Sequence, residues 1–229
     1  MINFSIGFGA IIGTLILYLF AFQFHKRFSY TFTSPVIIVT VAIVVVLMIF
    51  TIPYEKYMLG GEWISKLLGP AVVALAYPLY QQRDILKKLT VPILGGTFFG
   101  AVLGVTTGIL LAKWSGVDNM IIYSLTPKSV TTPVAMDIAD TLGGVEPLAA
   151  VFVMVAGIGG ILVSSVVFKY SSLTNYLGRG VGIGSASHAI GTATAMENSQ
   201  LEGSVSTIAM VVSAVIVSVI TPGLIWLLL

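Results

Sequence analysis

The chain has 229 residues, 57% of them hydrophobic and only 9% charged, and its mean hydropathy is +1.03. Soluble domains carry about 25% charged residues, so there is too little charge here to cover a water-facing surface, and the composition is that of an integral membrane protein. A dispersed net charge of +2 does not point to nucleic acid, and a chain without cysteine has no disulfide, thiolate metal site or cysteine nucleophile.

Repeated apolar runs of 18 or more residues favour helices over a barrel, whose strands would alternate. The first run, residues 4–24, lacks a basic n-region and a small-residue cleavage site, so it reads as a retained span rather than a signal peptide. It ends at His25, Lys26 and Arg27. A second span is predicted over 35–52, with Pro35 in its first turn and Pro53 at its stop. Residues 54–66 read as a charge-balanced loop. A short span over 67–80, interrupted by Pro78, is expected to kink. Residues 81–88 form a basic loop with Arg83, Lys87 and Lys88. The fourth span, 91–112, carries glycines at 96, 100, 104 and 108, a flat stripe suited to close helix packing. A fifth span covers 147–168, a basic loop 169–179, and a sixth span 205–229.

Two polar stretches lie among these spans: TPKSVTTPVAMDIADTLGG at 126–144 and GSASHAIGTATAMENSQLEG at 184–203. Backbone of this kind between membrane spans lines cavities where ions or solutes bind. Shifting the chain by 60 residues aligns the two stretches. Lys128 then meets His188, Thr132 meets Thr192, Ala135 meets Ala195, Met136 meets Met196, Asp137 meets Glu197 and Gly143 meets Gly203. Counting Lys and Arg alone and leaving aside Lys128, which is placed in the site, six crossings put seven of these residues inside and three outside, provided that neither polar stretch crosses fully. The stretches then dip in from opposite faces, as in the inverted repeats of secondary transporters. The expected fold is therefore an all-α polytopic membrane protein of about six transmembrane helices, with two broken or re-entrant polar segments forming an inverted repeat. Residues 1–66 would be an N-terminal helical pair serving as scaffold or oligomer contact, and 67–229 the transport core.

The chemistry suits a small anion. Helix N-termini present free N–H groups and partial positive charge. Ser129 or Thr131 is placed to cap a helix running through Ala135 to Ala139, and Ser187 or Thr192 one running through Ala193 to Asn198. Lys128 supplies a formal charge that costs about 2.5–3.5 kcal/mol in hydrocarbon, so it either lines water, meets an acid or snorkels to the headgroups. His188 either carries a coupling proton or is a hydrogen-bonded structural residue. Asp137 and Glu197 either handle a coupling ion or are solvated charges. Thr131, Thr132, Thr192 and Thr194 either touch solute or satisfy freed backbone. No hydrolytic, metal-binding or cofactor-binding pattern is present in the sequence, so neither enzyme activity nor a cofactor or metal is expected.

The segments PAVVALAYPLY (70–80), LTPKSVTTPVA (125–135) and GSASHAIGTA (184–193), with GRG at 178–180, resemble the LrgB/CidB family of bacterial membrane proteins over essentially the whole chain. The resemblance implies a multi-pass protein of the bacterial plasma membrane. It also implies one of two functions. Members are known as holin/antiholin-like, tied to murein hydrolase control and cell lysis through oligomerisation. A plastidial relative is a glycolate/glycerate translocator, and bacterial members with a small LrgA/CidA-type subunit are implicated in pyruvate uptake. The second function carries Lys128, Ser129, Thr131, Ser187, His188 and Thr192 over as site positions for a monocarboxylate. It implies lipid, a separate LrgA/CidA-type partner and homo-oligomers as the chain's associates, with alternating access as mechanism.

Overall fold

A computed structural model describes residues 2–28, 33, 35–67, 70, 73–74 and 76–229. Helices and short turns account for it, with no strand among the described residues. Two compact units divide the chain, Met1–Pro70 and Ala71–Leu229.

The first unit holds α1 (Ile2–Arg27), α2 (Pro35–Ile49) and α3 (Tyr54–Ser65). The predicted loop at 54–66 is thus a helix. Its charges mislead because they sit on one side: Glu55, Lys56 and Glu62 are exposed, whereas Gly60 and Gly61 are buried. Gly60 lies so close to the backbone of Gly7 that a Cβ would strike the Gly7 carbonyl, and the Thr14 and Tyr57 hydroxyls meet at 3.1 Å. Small residues let the two backbones approach.

The second unit holds α4 (Ala76–Gln81), α5 (Arg83–Lys88), α6 (Thr90–Trp114), α7 (Asn119–Leu125), α8 (Thr132–Leu142), α9 (Glu146–Tyr170), α10 (Tyr176–Asn198) and α11 (Gln200–Leu228). Residues 68–69, 71–72 and 75 of the predicted span over 67–80 lie outside the described residues, and Pro78 falls in the first turn of the short helix α4. The predicted basic loop at 81–88 is largely helical. Ile85 and Leu86 pack on a core of Ile93, Val205 and Ile208, while Arg83, Lys87 and Lys88 stay exposed. Among the described residues, α1, α6, α9 and α11 are long and apolar enough to cross a membrane, and α2 is a shorter apolar helix. Proline in the first turn, where a missing N–H costs nothing, opens α6, α8 and α9.

Between these long helices the chain twice folds back. The first fold joins α7 to α8. Gly143, at φ 83 in the left-handed region, ends α8, and Val145 N–H donates to Ser124 Oγ at 2.8 Å. The end of α8 therefore returns beside the end of α7, leaving 126–131 as the tip. That tip is deep in the unit: Val130 is fully buried in a cluster with Val105 and Ile109 of α6, Val153 of α9 and Val217 of α11.

The second fold interrupts α10 at His188, whose φ of 40 and ψ of −131 are not helical. In a straight helix residues 183 and 191 would be about 12 Å apart along the axis. Here Gly191 packs directly on Ile183 and Ser187. Before the fold, Gly180 faces Val205 and Gly184 faces Ala209, so the chain runs alongside α11 in the same direction. After it, Thr192 meets Ser206 and Met196 meets Gly203, so the chain runs the other way. Ser199 then caps α11, its hydroxyl accepting the Glu202 N–H at 3.4 Å. The last residues of the second polar stretch thus belong to α11, and the basic loop read at 169–179 shrinks to a turn before Tyr176.

Candidate functional site

The glycine stripe of α6 is where both folds converge. A Cβ at Gly96 would meet Val181, and one at Gly100 would meet Ser185, both on α10. One at Gly104 would meet Ser129 and one at Gly108 would meet Lys128, both at the tip of the first hairpin. Between α6 and the two hairpins lies a cavity of about 170 Å³, lined by Gly96, Gly100, Gly104, Ser129, Ser185 and neighbours on α10. The two polar stretches therefore share one space, with a hydroxyl from each in its wall.

Lys128 lies beside this cavity. Its Nζ donates to the Gly104 carbonyl at 3.2 Å. Its partner is thus a backbone dipole, and no carboxylate pairs with it among the described residues. A half-buried cationic side chain without a counter-charge leaves its surroundings attractive to an anion.

Hydroxyl placement separates structural from available groups. Thr97, Thr126, Thr207 and Thr221 each donate to the carbonyl four residues back, at 2.5 to 2.8 Å. That is how a hydroxyl is usually satisfied in an apolar helix. Thr131, Ser185 and Ser213 are buried, yet their hydroxyls have no partner among the described residues. A buried polar atom left unpaired calls for an explanation such as a bound group. Thr131 occupies the N-cap position of α8, but its side chain makes no cap bond, contrary to the expected cap.

The other predicted residues sit elsewhere. Ser187 and His188, at the tip of the second hairpin, pack on α9 against Gly160 and Gly157 respectively. The His188 Nε2–H donates to the Val153 carbonyl at 3.0 Å, and the residue is 2% exposed. Lys128 and His188 are both held by backbone carbonyls, but of different helices, α6 and α9. Thr192 was expected as a cap or solute contact. It lies within the returning half of α10, and its hydroxyl pairs with Ser206 Oγ at 2.8 Å. Thr132 is half-buried in the first turn of α8, and Asp137 is exposed on that helix. The Glu197 side chain lies outside the described residues.

Sequence reasoning missed two features. Ser185 stands inside a quoted motif, but nothing in its spacing separates a free hydroxyl from one bonded to its own helix. Arg179 and Glu202 form an ion pair at 3.1 Å, with the Glu202 side chain only 6% exposed. The Arg179 guanidinium also lies 4.9 Å from the Phe168 ring centroid. This pair joins the starts of α10 and α11 to the end of α9.

Long apolar helices packed around two backward-folding hairpins define an all-helical membrane protein with a small, partly open cavity that carries two serine hydroxyls. The family model described as LrgB-like matches residues 14–227. The chain is 48% identical over 181 residues to YxaC of Bacillus subtilis, covering 79% of each. It is 36% identical over 178 residues to YwbG of the same organism, covering 78% of this chain and 79% of that one. It is 35% identical over 214 residues to holin-like protein CidB of Staphylococcus aureus strain N315, covering 93% of each. The chain belongs to the LrgB family. No solved structure matches it.

Proposed function

We propose that this protein moves small monocarboxylates of the pyruvate, lactate or glycolate type across a bacterial plasma membrane by alternating access. It would be a multi-pass protein acting with a small LrgA/CidA-type subunit, in a homo-oligomeric assembly. One observation carries the reading: hydroxyls from both hairpins, Ser129 and Ser185, face one cavity beside the Lys128 side chain, which has no counter-charge among the described residues. Donors of this kind suit a carboxylate. Support for a repeat comes from the hairpin tips: Lys128 and His188, 60 residues apart, each sit at a tip and each donate to a backbone carbonyl of a long helix, Gly104 of α6 and Val153 of α9. Two related halves around a central site are the usual architecture of alternating access.

A second reading is favoured by the relatives. Proteins called holin-like CidB match at 35% identity over nearly their full length, and that name backs lysis control through oligomerisation more directly than it backs transport. In this reading the buried polar residues serve hairpin packing alone, and activity resides in assembly.

Uptake into proteoliposomes separates the two. Labelled pyruvate, lactate and glycolate are offered to wild type and to Lys128→Ala, with and without the partner subunit. Saturable uptake that Lys128→Ala reduces at least about tenfold supports transport. Absence of saturable uptake for every acid, together with release of a trapped dye that depends on protein density, supports the holin-like reading.

A further inference from the structure

The four glycines of the α6 stripe do not have the same reason to be glycine. A Cβ at Gly108 would lie 2.5 Å from Lys128 Nζ, and one at Gly96 would lie 3.0 Å from Val181 Cγ1. At both of these a neighbouring side chain would have to move. At Gly100 the nearest atom would be Ser185 Cβ at 3.5 Å, and at Gly104 it would be Ser129 Oγ at 3.6 Å. Both are ordinary van der Waals distances. Alanine would fit at 100 and 104 and is the better helix former. What alanine would remove at these positions is empty space, because both glycines line the 170 Å³ cavity. The same cavity holds the unpartnered hydroxyl of Ser185, a residue that is 7% exposed.

We propose that this cavity is a size-selecting anion subsite, in which the Ser185 and Ser129 hydroxyls donate to a carboxylate while the bare backbone at Gly100 and Gly104 leaves room for a short carbon skeleton. The proposal rests on the transport reading and sharpens it. Ser185 is a specificity-determining residue, and Gly100 and Gly104 form the wall that sets the length limit. A cavity of this size holds a few waters or one acid of about two to four carbons. A methyl group on either glycine takes up part of that volume without displacing a side chain, so it lowers the limit.

The absence of cysteine from the chain provides a clean reporter. Ala186 lines the cavity and is exposed, so Ala186→Cys leaves both serines in place; Val181→Cys, also in the lining, serves as a second reporter. Labelling by a small methanethiosulfonate reagent is followed in proteoliposomes containing acetate, lactate or hexanoate. Acetate and lactate are expected to slow labelling about tenfold, and hexanoate to leave it unchanged. Adding Gly100→Ala or Gly104→Ala should abolish protection by lactate, preserve it for acetate, and leave the unfolding temperature equal or higher. Adding Ser185→Ala should remove protection by both acids. Failure of either reporter to react, equal protection by hexanoate, or lactate protection that survives both alanines overturns the subsite. Protection without uptake would sink the transport reading and keep the subsite. Uptake without protection would do the reverse.

Discussion

Lys128 Nζ donates to the carbonyl oxygen of Gly104 across 3.2 Å, joining the tip of the first hairpin to the middle of α6. Gly108, one turn further along α6, leaves the space the ammonium occupies. Lysine on its flexible stem reaches such a site as a point charge, and one carbonyl only partly replaces its lost hydration.

Because a Cβ at Gly108 would sit 2.5 Å from Nζ, Gly108→Ala should displace the lysine head, at a modest cost set by loss of its bond to Gly104, since the head ends a flexible stem. With Lys128→Ala already present, the same change should be nearly neutral. A double-mutant cycle from thermal unfolding in detergent should give a coupling of about 0.5–3 kcal/mol. Additive effects would mean that the two residues do not share this space.

His188 adopts φ 40 and ψ −131, backbone that glycine accepts and other residues reach only under strain of about 1–3 kcal/mol. Its ring bond to Val153 helps hold it there. Both His188→Ala and His188→Gly lose that bond, but only glycine relieves the strain. The glycine variant should be the more stable of the two, by about 1 kcal/mol, the reverse of the order expected inside a helix. Chemical denaturation of the two variants decides it, and a less stable glycine variant would contradict a strained fold-back at this residue.

The Arg179–Glu202 pair should respond asymmetrically. Glu202 is 6% exposed on its side chain and Arg179 is 33% exposed. Arg179→Ala strands a buried carboxylate, which costs about 3–5 kcal/mol when nothing replaces the partner. Glu202→Gln leaves an arginine that retains water and the Phe168 ring, so its cost should be clearly smaller. Comparing unfolding midpoints of the two variants tests this, and equal losses would show that the pair is not buried as described.

Gly184 packs so tightly on the Ser206 carbonyl of α11 that Gly184→Ala should cost about 1–3 kcal/mol by overpacking. Gly159 on α9 has open space around its missing Cβ. Gly159→Ala should therefore be neutral, or stabilising by up to about 1 kcal/mol through helix propensity. Unfolding of both in one detergent provides the comparison, and a tolerated Gly184→Ala would argue against close contact between α10 and α11.

The long helices α1, α6, α9 and α11 were legible from the chain alone, since length, apolarity and proline in a first turn are local properties. So was the presence of two polar stretches at matching spacing, each with a titratable side chain near its start, Lys128 and His188. The tertiary structure decided everything that depends on what a residue faces. α3 and α5 are helices despite their charges because Gly60 and Ile85 have partners to pack on. The chain reverses at His188 with neither proline nor glycine at that position to announce it. Thr192 and Ser185 are hydroxyls of one motif, yet Thr192 is satisfied by Ser206 and Ser185 is left free in a cavity. Arg179 pairs with Glu202 only because the chain has turned back between them. A hydrophobic run carries its own reason to be buried, whereas a hydrogen-bond partner, an ion pair or an empty volume exists only once another segment has arrived beside it.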